Sequence, residues 1–123
     1  MKYAVIIVRV LLGLMFAVLG SNAFLHFIPM PLMQGLPGQF IGALFSSGYI
    51  YAIAGVQVVG GLILLIGRFV PLGLTLLGPV IVNIMLYHIF LDPSGLGMGC
   101  VVSVLALFLF WVHRDRFAPL LKP

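Results

Sequence analysis

Apolar positions along this chain fall into four runs, at about residues 4–25, 48–67, 72–91 and 97–113. A bilayer's hydrocarbon core of about 30 Å is crossed by roughly 20 helical residues rising about 1.5 Å each. The runs have that length, so the pattern predicts four transmembrane helices. The breaks between them are equally clear. Arg68-Phe69-Val70-Pro71 separates the second run from the third. Asp92-Pro93-Ser94-Gly95 separates the third from the fourth and is a turn sequence, with proline fixing φ and glycine freeing it. The predicted fold is all-α, a transmembrane four-helix bundle in one domain.

The first and second runs are joined by HFIPMPLMQGLPGQFIGALFSSG. Pro29, Pro31 and Pro37 are expected to forbid regular helix over residues 29–37, because each lacks an N–H and restricts the residue before it. Gln39 to Ser46 reads as a short interfacial helix with Phe40, Leu44 and Phe45 on its apolar side. A loop so rich in Phe, Met and Leu is expected to fold back onto the bundle, since in water it would expose an apolar patch.

Small residues indicate how the spans pack, because helices in lipid associate by close backbone approach. Gly13, Ala17 and Ser21 recur at four-residue spacing on the first span, a stripe that serves either internal packing or a homo-oligomer. Gly55, Gly60 and Gly61 thin the second span, and Gly73 and Gly78 the third, where Pro79 is expected to bend the helix. Gly95, Gly97 and Gly99 follow no strand, so they read as a turn and a helix start and not as a nucleotide-binding loop.

Composition sharpens the picture. With 63% hydrophobic and 7% charged residues there are too few charges to cover a water-exposed surface. The lipid bilayer is therefore the expected partner. The net charge of +4 could point to nucleic acid, but the six Lys and Arg are scattered singly or lie in one short tail, so no nucleic-acid binding is expected. In a four-span topology Lys2, Arg9, Arg68, Arg114, Arg116 and Lys122 all fall on one side. The positive-inside rule then places both termini in the cytoplasm. Arg9 lies two turns into the first span, where it either snorkels to the surface or pairs inside the bundle, and snorkelling is the expectation. Lys2, the apolar run and Ser21-Asn22-Ala23 have the outline of a cleavable signal peptide. Arg9 and the full spanning length favour a retained first helix. Cys100 is the sole cysteine, so no intrachain disulfide forms.

Polar residues gather toward the outer half. Asn22 and His26 end the first span, Gln57 lies mid-way along the second, and Asn83, Tyr87, His88 and Asp92 occupy the outer half and boundary of the third. Residues four apart share a helix face, which pairs Asn22 with His26, Asn83 with Tyr87, and His88 with Asp92. Asn83 and His88 are five apart, about 140° around a helix, which favours two sub-sites over one.

Each residue has a plain structural role as well. Asn83 and Gln57 serve as interhelical hydrogen-bond glue, His26 as a polar tip at the headgroups, and His88 with Asp92 as a helix-ending contact. Read as a site, Asn22, His26, Gln57, Asn83, Tyr87 and His88 would line an outer pocket with Asp92 at its rim. The ligand class that suits such a lining is a quinone, whose carbonyls need donors and whose chemistry needs a proton-passing group. His26, His88 and Asp92 are residue types that bind metals, but no short ligand spacing occurs and no metal is expected. No nucleophile and base stand at motif spacing, there is no glutamate, and no haem motif occurs. An enzyme acting alone therefore has no support.

The order RVLLGLMFAVLGSNAFLHFIPMP, SGYIYAIAGVQVVGGLILL and GRFVPLGLTLLGPVIVNIMLYHIFLDPSGL resembles the DoxX-like bacterial membrane proteins over nearly the whole chain. The resemblance implies a small four-helix transmembrane bundle with a link to the quinone pool, acting as an accessory or lipid- or quinone-binding subunit beside a membrane redox partner. The alternatives are a quinone-linked oxidoreductase subunit that transfers protons through His88 or His26, and a scaffold without a ligand. Relatives often carry a lysine soon after the first span. Here SNAFLHF stands in that place, so the lysine's role does not carry over.

Overall fold

Each apolar run folds as one helix in the computed structural model, which describes residues 1–27 and 33–123. The spans are α1 (Lys2–Leu25), α3 (Tyr49–Ile66), α4 (Val70–Phe90) and α5 (Leu96–Val112), with α2 (Gly35–Ser47) between the first two and a short α6 (Arg114–Phe117) after the last. A tight 3-10 turn, Pro93–Gly95, links α4 to α5, and the described residues contain no strand. All four spans are long and apolar enough to cross a membrane. The chain is thus a multi-pass helical membrane protein.

The helix ends follow from local chemistry. Gly48 closes α2 and Gly67 closes α3 in the left-handed region, at φ 80° and 82°, where glycine has no Cβ to clash. Pro71 sits in the first turn of α4, where its missing N–H would have no helical partner anyway. The same physics corrects one expectation: α2 begins at Gly35, not Gln39, and includes Pro37 in its first turn. The first four N–H groups of a helix have no intrahelical acceptor, so a proline there breaks nothing. The expectations for Pro29 and Pro31 lie outside the described residues.

The spans form an antiparallel ring in the order α1, α3, α4, α5. Glycines set its register. A Cβ on Gly13 would lie 2.8 Å from the Gly61 carbonyl oxygen, and one on Gly20 would lie 2.9 Å from that of Ala54. Gly60, one residue before Gly61 and about 100° around the helix, faces Leu77 of α4 instead, with Gly73 opposite Ile63. Thus α3 is wedged between α1 and α4. The expected stripe is corrected at one position: the close contact uses Gly13, Ala17 and Gly20, with Gly20 in place of Ser21. Its role is internal packing.

Buried Leu12, Phe16, Leu64, Leu74, Leu77 and Leu109 form the core. Side chains such as Leu11, Val18, Leu62, Val82 and Leu107 stay exposed on the outer surface, as a surface solvated by lipid requires. Arg9 does not simply snorkel. Its Nη1 donates to the carbonyls of Leu64 and Leu65 in the last turn of α3, where helix carbonyls lack partners and the dipole favours a cation. The guanidinium packs against Gly67, whose absent Cβ would clash with it.

Candidate intramembrane ligand site

The opposite end of the ring is built differently. There α2 lies across the N-terminal half of α3 and the C-terminal half of α4, and a cavity of about 610 Å³ opens between the three. The volume lies within the range of small-molecule sites. Tyr49, Ile50, Ile53 and Gln57 present one face of α3 at helical spacing, Val80, Asn83, Ile84, Tyr87 and His88 line the α4 wall, and Phe40, Ile41 and Leu44 form the roof. The walls are mainly aliphatic. Polar side chains are the minority of the lining.

Four of the six expected lining residues, Gln57, Asn83, Tyr87 and His88, meet in this one cavity. Asn22 and His26 do not line it. Asn22 is instead the one buried polar side chain among the described residues, engaged by protein contacts, and its carbonyl accepts the N–H of His26 at 2.8 Å. His26 is exposed in a left-handed conformation at φ 54°, closing α1. Asn83 and His88, expected in two sub-sites, both border this one cavity.

The hydrogen bonds are specific. Asn83 Nδ2 donates to the Pro79 carbonyl 2.9 Å away on its own helix, so it does not tie α4 to a neighbour as expected of a glue residue. The Tyr87 hydroxyl donates to Met33 Sδ at 3.2 Å, and its ring stacks against Phe40 and meets the His88 ring edge-on, with centroids 5.6 and 5.1 Å apart. His88 Nδ1 lies 3.1 Å from the backbone carbonyl of Asp92. The Asp92 carboxylate is turned away and accepts the Ser94 hydroxyl, so the acid does not orient the imidazole, and Asp92 is not part of the lining. His26, His88 and Asp92 are not gathered into a metal-holding group among the described residues.

Two further features were invisible to sequence patterns. A Cβ on Gly95 would lie 2.2 Å from His88 Cε1, and one on Gly99 would lie 3.5 Å from His88 Cδ2. Gly95, read as part of a turn, thus also makes room for the imidazole, whereas a Cβ on Gly99 would meet the ring at ordinary contact distance and come close only to Met85 Sδ, 2.9 Å away. Gln57 packs its Cβ near Gly20 of α1 and makes no side-chain hydrogen bond among the described residues. The aliphatic lining could have been suspected only from the spacing of Ile50, Ile53 and Gln57, once α2 was known to cover that face. No family model, no curated protein and no solved structure matches the chain.

Proposed function

We propose that this protein is an accessory membrane subunit of the DoxX type whose cavity between α2, α3 and α4 binds a quinone or a similar amphipathic lipid. The observation that carries the reading is that Gln57, Asn83, Tyr87 and His88 border one cavity whose lining is otherwise mostly aliphatic and aromatic. An apolar pocket with a few convergent polar groups is what an amphiphile with a compact polar head requires. The placement of every Lys and Arg toward the other end of the bundle supports cytoplasmic termini in a bacterial inner membrane, with the cavity in the outer half. A reporter fused at Gln34 should then be active only outside the cytoplasm.

The ligand is tested by extracting the mildly solubilised protein with organic solvent and quantifying quinone by mass spectrometry, beside an unrelated membrane protein. Near-stoichiometric quinone that is lost in His88→Ala is the expected result. Background quinone in the unsubstituted protein would favour a scaffold without a ligand.

A further inference from the structure

The two ends of the bundle differ in charge. Lys2, Arg9, Arg68, Arg114, Arg116 and Lys122 all stand at the end where α1 starts and α5 finishes, with Asp115 the one acidic side chain beside them, and Asp92 lies at the far end. Arg9 is taken up by the α3 carbonyls. The other five cations are exposed, and Lys2, Arg116 and Lys122 make no hydrogen bond or ion pair among the described residues. This end therefore carries positive charge that the protein does not itself neutralise.

The last segment is held against that end. Helix α5 stops at His113, whose φ of −99° and ψ of 18° lie off the helical values. Beyond it, the Phe117 ring sits 4.8 Å from that of Phe110 and packs against the buried core. Residues seven apart in an unbroken helix are separated by about 10.5 Å along its axis. Rings this close mean that the chain turns back against the bundle after His113 instead of running on along the α5 axis. Residues 114–122 are thereby kept at the level where the spans end, which is the bilayer surface. Leu120 and Leu121 stand there 75% and 88% exposed. Exposed leucines beside exposed cations suit a segment lying in the interface, with its apolar side chains in the acyl boundary and its charges among headgroups.

Arg114 is the ordered cation of the segment. Its Nη1 donates to the Trp111 carbonyl at 2.8 Å, and its guanidinium carbon lies 4.7 Å from the centre of the Trp111 ring. It makes no other hydrogen bond among the described residues, so the rest of its N–H fork stays available for a phosphate, whose paired oxygens match that geometry. Trp111 itself is exposed in the last turn of α5, at the headgroup level that tryptophan favours.

We propose that the segment Arg114–Lys122 binds an anionic phospholipid at the basic end of the bundle, with Arg114 holding the phosphate and Arg116 and Lys122 adding attraction. The site is separate from the cavity and does not depend on its ligand. A zwitterionic headgroup carries its own cation beside the phosphate, so the surplus positive charge here favours an anionic lipid over it. The exposed leucines favour a lipid over a soluble polyanion, which would leave them in water.

Trp111 is the only tryptophan and reports on its own surroundings. The purified full chain is reconstituted at low ionic strength into phosphatidylcholine vesicles holding a small fraction of either phosphatidylglycerol or phosphatidylcholine brominated near the headgroup end of its acyl chains. Bromine quenches indole fluorescence only at close range, so the quenching compares the two lipids at Trp111, whichever way the protein is inserted. At equal content, phosphatidylglycerol is expected to occupy the site with about fivefold preference, the attraction of about one basic residue at an anionic surface. Arg114→Gln is expected to reduce the preference below about twofold, and Arg114→Lys to leave it between the two values, since an ammonium keeps the charge without the fork. Because the preference is a ratio taken within each variant, a change in the packing of the indole alters both lipids alike. Equal quenching by the two lipids in the unsubstituted protein would overturn the proposal and leave the basic end to a soluble acidic partner. A preference unchanged in Arg114→Gln would overturn the role given to this guanidinium.

Discussion

Both α1 and α2 lie against α3, and they do so in opposite ways. The first approaches so closely that Gly13, Ala17 and Gly61 bring backbone against backbone, and it buries Leu12, Gly13, Phe16, Gly20 and Asn22. The second buries no residue at all, and Gly42 in its middle has nothing within 4 Å of where a Cβ would sit. In lipid the hydrophobic effect does not drive helices together, so stability comes from dispersion at close contacts and from satisfied polar groups. The α1–α3 seam concentrates both kinds of contact, the polar one being Arg9 on the α3 carbonyls. The α2 side is left open enough to hold a ligand.

The strongest way to break this contrast is to make the same small change on each helix. Gly13→Ala puts a Cβ within 2.8 Å of a carbonyl oxygen that cannot move away cheaply. It should lower stability in detergent by about 2–3 kcal/mol, the upper part of the overpacking range, seen as a large fall in Tm. An unchanged Tm would mean the seam does not carry the fold.

Arg9→Leu should cost about 1–2 kcal/mol by leaving the Leu64 and Leu65 carbonyls without their charged donor. Arg9→Lys should recover part of the loss, since an ammonium keeps the charge but not the forked geometry. Equal Tm values for Arg9→Leu and the unsubstituted protein would return Arg9 to a snorkelling role.

Gly42→Ala should have the smallest effect. With open space around it and a helical backbone, the added methyl should be neutral or stabilise by up to about 1 kcal/mol. A destabilisation as large as that of Gly13→Ala would show α2 to be as tightly packed as α1, and would argue against an open site beneath it.

The spans were legible because length and hydropathy decide them one residue at a time, with little help from neighbours. The loop helix was legible in part. Phe40 and Leu44 mark its apolar side, but a proline's effect depends on where the helix starts, and Pro37 stands in the first turn, where it breaks nothing. The site was less legible. The sequence brought Asn83, Tyr87 and His88 together on α4 and Gln57 on α3, yet helical angles alone argued for splitting Asn83 from His88.

What the sequence by itself determined about this protein is what depends on segment length, local turn chemistry and charge order: four apolar spans, the Asp92-Pro93-Ser94-Gly95 turn between the last two and a basic end of the bundle. Only the tertiary structure decided which small residues meet, what Arg9 bonds and where the cavity lies. Those outcomes depend on partners distant along the chain, Leu64 for Arg9 and Met33 for Tyr87, and spacing within one helix carries no information about which helix packs against it.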